Sequence, residues 1–79
     1  MNASEYLDPG KFPKTTQPGL DLRQQMRIDA HNLDELLEHQ QGGQGLSPDQ
    51  QARLRELQQK RQAWPGLKQE LRQVPRTTT

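Results

Sequence analysis

Proline and glycine placement divides this chain before any other feature does. Pro9, Pro13 and Pro18 crowd the first nineteen residues, together with Gly10 and Gly19, whereas the next prolines are Pro48, Pro65 and Pro75. Proline fixes φ, removes a backbone donor and pushes the residue before it into extended geometry. Residues 1–19 therefore read as an extended, irregular arm, disordered unless something holds it. Within it "DPG" at 8–10 has turn chemistry, with Pro9 at the second position and Gly10 able to take positive φ at the third.

The stretches between these breakers carry helical patterns. Asp21 followed by Gln24 has capping-box spacing. Leu22, Met26, Ala30, Leu33 and Leu37 recur at steps of four or three, with Leu36 on the flank, which is one apolar stripe at the helical period. Gly42 and Gly43 supply the left-handed residue favoured just past a helix C-terminus, so a helix is predicted over about 21–41. Ser47 caps the next pattern, Pro48 fits the first helical position, and Gln50 completes a second capping box. This second helix is predicted over 48–63, with Leu54, Leu57 and Trp64 inward and the stem of Arg61 covering the gap between them. Leu46, just outside the cap, is placed to pack back on the hairpin.

Pro65 clashes in a helix with the carbonyl of Arg61, so a break and a short third helix over 66–73 are expected. Trp64, Leu67, Leu71 and Val74 share a face across that break, and 75–79 form a tail. The predicted architecture is all-α: an arm over 1–19, an αα-hairpin within 20–74, and a broken or kinked C-terminal helix.

Composition matters here because it limits the core. Hydrophobic residues make up 28% of 79, mean hydropathy is −1.22 and cysteine is absent. Small scaffolds with so little apolar surface depend on disulfides, metals or association. Without cysteine, association remains, and docking onto other subunits, as a homo-oligomer or within a hetero-complex, is the first functional inference. No signal peptide and no membrane span are legible, which points to a soluble protein, cytoplasmic or within a virion or other large assembly.

Charge is segregated. Residues 1–43 sum to −3 and residues 44–79 to +4, which suits an antiparallel helix pair or head-to-tail contact between subunits. His31, Glu35 and His39 lie four residues apart on one helix, but the two histidines are about 12 Å apart along the axis, too far to converge on one ion. Ser47 is committed as a cap, Ser4 lies in the arm, and the carboxylates Asp34, Glu35 and Glu38 have no cleft to tune them. No catalytic, cofactor or metal set is therefore assigned, and the chain reads as non-enzymatic.

The expected function is protein–protein interaction, more concretely a small structural or assembly component of a larger particle such as a phage virion or another multi-subunit machine. Tyr6, Leu7 and Phe12 are expected to be buried against another chain or back on the hairpin, since aromatic anchors dominate interfaces. Ile28, on the outer side of the first helix, and Leu54, Leu57, Trp64, Leu67 and Leu71 complete the candidate partner-binding set. An alternative is a small nucleic-acid-associated or transcription-modulating protein in which Arg53, Arg55, Lys60 and Arg61 track phosphates, although Arg53 and Lys60 also sit where acids of the first helix can pair with them. A third reading is an adaptor or inhibitor of a single protein target.

Overall fold

The computed structural model describes residues 1–43 and 45–73, and it is mostly helical, with no strand among the described residues. Helix α1 spans Ala3–Tyr6, α2 spans Leu22–Gln41 and α3 spans Pro48–Gln73. Helices α2 and α3 pack on each other and form the body of the molecule. Val74 and the tail 75–79 lie outside the described residues.

Local chemistry sets the helix ends as the capping patterns require. The Asp21 carboxylate accepts from the Gln24 N–H at 2.8 Å, and the Gln24 side chain accepts from the Asp21 N–H. Ser47 and Gln50 exchange the same reciprocal bonds at the start of α3. Helix α2 stops where Gly43 takes φ +77°, a conformation that costs glycine little. Leu46 then packs against the leucines of the hairpin.

Two expectations are corrected. There is no third helix at 66–73, because α3 runs unbroken through Pro65. Pro65 and Gly66 are exposed, while Trp64, Leu67 and Leu71 on either side of them all pack into the core. Burial of one continuous face outweighs the local cost of the proline, since tertiary packing rather than propensity supplies most helix stability. The N-terminal segment is also neither extended nor loose. It opens with a one-turn helix capped reciprocally by Asn2 and Glu5, then folds through two successive turns onto the helix pair. The Asp8–Gly10 turn forms, with the Asp8 carbonyl accepting from the Lys11 N–H at 3.1 Å, but Gly10 does not use positive φ. Its smallness matters instead: the Asp8 carboxylate folds over it to accept from the Gly10 N–H at 2.8 Å, and a Cβ there would meet that carboxylate at 3.2 Å.

The core has two parts. Leu33, Leu36, Leu54 and Leu57 form an apolar cluster at the turn end. Tyr6, Leu22, Met26 and Leu67 form another at the arm end, with Trp64 packing against both.

Candidate functional site

The most chemically elaborate place in the molecule lies where the N-terminal segment meets α2 and α3. Asp29 is fully buried, and so are Gln25 one turn earlier on α2 and Lys60 on α3. The Asp29 carboxylate accepts from the Lys60 ammonium at 3.1 Å and from the Tyr6 hydroxyl at 2.7 Å through Oδ2, and from the Gln25 amide at 2.8 Å through Oδ1. The Tyr6 oxygen in turn accepts from the Trp64 indole N–H at 2.8 Å. Lys60 also donates to the Thr16 hydroxyl at 2.9 Å, and its Nζ lies 4.5 Å from the Tyr6 ring centroid and 5.2 Å from that of Phe12. An ammonium between two ring faces gains from their negative quadrupoles.

Gln25 ties this network to the backbone, donating to the Thr15 carbonyl and accepting from the Gln17 N–H. Further out, Glu56 accepts from the Lys14 N–H and the Thr15 hydroxyl, and Lys14 pairs with Asp49, holding that carboxyl below its ordinary range. Every polar atom of Asp29, Lys60 and Gln25 is therefore met, as a charge removed from water requires. Burial pushes the Tyr6 hydroxyl well above the usual tyrosine range, with the bond to Asp29 adding to it. Burial also lowers the Lys60 ammonium below its ordinary value, and Asp29 opposes that shift.

Several expected site residues meet here. Tyr6 and Phe12 are buried within their own chain, and Leu7, Trp64, Leu67 and Leu71 pack in the cluster around Tyr6. Leu54 and Leu57 belong to the turn-end core. Ile28, expected to stand exposed, is half-buried. The four proposed phosphate contacts are not brought together. Lys60 is committed to Asp29 and Thr16 inside the core, which removes it from any phosphate-binding face. Arg53 is half-buried beside the α2 side chains Asn32 and His39, while Arg55 and Arg61 are exposed about 120° apart around the helix axis. His31 and Glu35 form an exposed pair at 3.1 Å, and among the described residues no three acidic or histidine side chains converge as a metal set.

Asp29, Gln25, Thr15 and Thr16 are absent from the sequence-derived set, yet the signal was there. The buried face of α2 is Leu22, Gln25, Met26, Asp29, Leu33 and Leu36, so Asp29 and Leu36 stand where the stripe had Ala30 and Leu37. On α3 the gap between Leu57 and Trp64 is filled by Lys60, not by the stem of Arg61, which is exposed. Both errors skip a charged residue at a core position, and the two skipped residues are each other's partners.

Two shallow clefts lie toward the turn end. One of about 580 Å³ is flanked by Asn32, Glu38, His39 and Arg53, and one of about 400 Å³ by Gln40, Leu46 and Arg55. Compared with known proteins, the chain matches no family model, and no curated protein or solved structure is significantly similar to it.

Proposed function

We propose that the protein is a non-enzymatic interaction protein, a small structural or assembly component of a larger particle such as a virion or another multi-subunit machine. The observation carrying this reading is the saturation of the buried polar network at the arm end. The groups with chemical potential, the Tyr6 phenol, the Asp29 carboxylate, the Lys60 ammonium and the Trp64 indole, are wholly engaged with one another in holding the N-terminal segment. Their chemistry builds a shape, and a defined shape is what this chain has to offer a partner. The N-terminal aromatics contribute to recognition indirectly, by fixing the body that docks, rather than by reaching out as a clamp. Docking then falls to the outer faces of α2 and α3, which are polar and charged; Met1 is the one strongly exposed large hydrophobic residue among those described.

Affinity capture of the tagged chain from its native source tests this. The reading expects defined subunits of one assembly to be retained in fixed ratio. It expects Arg61→Glu, Lys68→Glu and Arg72→Glu together to weaken retention while helicity by circular dichroism is unchanged. Retention of no subunit, or turnover of a substrate by the purified chain, would overturn it.

A second reading keeps one supporting observation. Arg61, Lys68 and Arg72 are exposed and fall within about 40° of one another around α3, making a basic stripe about 16 Å long. An anionic polymer along that stripe predicts binding that falls steeply with salt and is lost in the same triple variant. Absence of a gel shift at low salt disposes of it.

A further inference from the structure

The outer face of α2 breaks the local rules of helix design in a patterned way. Arg23 sits in its first turn, where the helix dipole disfavours cations, and Glu38 in its last, where it disfavours anions, with Arg27 and Asp34 further in on the same face. Arg23 and Arg27 are four residues apart, as are Asp34 and Glu38, so each like-charged pair repels across one turn. All four side chains are exposed, and none joins an ion pair among the described residues. At 100° per residue they fall within about 60° of one another, so they form a single stripe. A helix stabilised only from within its own chain would gain by exchanging the two ends of this pattern.

The pattern is also self-complementary. Arg27 lies as far before the midpoint between Ala30 and His31 as Asp34 lies beyond it, and Arg23 and Glu38 are related in the same way. An isologous contact about a two-fold axis makes residue i meet j while j meets i. We propose that this face pairs with the same face of a second copy of the chain, antiparallel, about a two-fold axis passing between Ala30 and His31. Arg27 then faces Asp34 of the other copy and Arg23 faces Glu38, each twice. The dipoles of the two α2 helices run in opposition, which is favourable, and every repulsion within α2 gains opposite charge across the contact. A parallel arrangement would set arginine against arginine. Ala30, small and half-buried at the centre, lets the helices approach. The inference rests on the reading of the chain as an interaction protein and names one partner for it.

Sedimentation of the full chain at low and physiological salt is the primary test. Because such pairs are screened as the Debye length falls from about 30 Å at 0.01 M to about 8 Å at 0.15 M, association is expected to weaken by about tenfold or more over that range. Arg23→Glu with Arg27→Glu should abolish association, and so should Asp34→Lys with Glu38→Lys. Mixing the two folded variants should restore a dimer containing one of each. A monomeric wild type at low salt, or reversed variants that self-associate as wild type does, overturns the pairing.

The chain has no cysteine, so a second measurement reads the register directly with single substitutions. His31→Cys, beside the axis, should form a disulfide-linked dimer under mild oxidation. Arg23→Cys should not, because its copy lies about 22 Å away along the helices, beyond disulfide reach. Equal cross-linking by both overturns the antiparallel register even if some dimer forms. A monomer in these tests, alongside intact capture of other subunits, removes this partner and leaves the interaction reading standing.

Discussion

At the turn end of the helix pair, Leu33, Leu36, Leu54 and Leu57 meet as an all-leucine core, whereas at the arm end Tyr6 joins a cluster with Leu22, Met26 and Leu67 to the buried Asp29–Lys60 pair. The same two helices are thus joined by two kinds of chemistry. Leucine packing is non-directional and proportional to area, so it accepts any hydrophobic residue of similar volume. The arm end is directional. Its ion pair is tolerable only while Tyr6, Thr16 and Gln25 supply the remaining hydrogen bonds, and Tyr6 and Thr16 come from the N-terminal segment. A chain with so little apolar surface can thereby still hold an irregular segment in one place. Hydrophobic burial closes the hairpin, and the saturated polar network selects where the segment sits.

The largest expected effect comes from breaking the arm end on one side. Asp29→Ala leaves the Lys60 ammonium buried without its counter-charge and should cost about 3–5 kcal/mol in denaturant unfolding. The double variant Asp29→Leu with Lys60→Met removes both charges and should cost less than Asp29→Ala alone. Additive losses would mean the pair is not a unit, and the contrast between the two ends would collapse.

At the turn end, Leu57→Ala removes a fully buried side chain and should cost about 2–5 kcal/mol, while Leu57→Met should cost less than about 1.5 kcal/mol. If the methionine variant is as damaging as the alanine one, the turn end is as specific as the arm end.

The smallest perturbation is a proton. Burial and the bond to Asp29 raise the Tyr6 phenol, so the folded state favours the neutral form more than the unfolded chain does. The stabilising contribution of the neutral phenol is intact below the ordinary tyrosine value near 10 and is lost as pH rises above it. Tyr6 is the one tyrosine, so its phenolate absorbance can be followed alone. It should appear together with loss of helicity, not before it. A phenolate formed at ordinary pH in a fully helical protein would show that the arm end is open.

Much of this fold is legible in the residues taken one neighbourhood at a time. Asp21 with Gln24, Gly43, and Ser47 with Gln50 set the helix ends through bonds made within three residues or through a single backbone conformation, so no distant contact is needed to read them. The leucines at three and four residue steps likewise mark which faces meet. What local reading misses is any position whose sense depends on a residue far along the chain. Asp29 and Lys60 occupy core-facing positions, but a hydrophobic pattern steps over them, because a charge is out of place in a core until its partner, 31 residues away, is known. Pro65 looks like a stop until Trp64, Leu67 and Leu71 are seen packing on one side of it.

Two capped helix starts and the Asp8–Gly10 reversal follow from the residues alone, because each is settled by sterics and hydrogen bonds within a turn or two. The course of α3 through Pro65, and the place of the proline-rich N-terminal segment in the core, came from packing between distant segments. Those outcomes depend on burial and on a buried charge pair, whose energies exist only once distant segments are side by side.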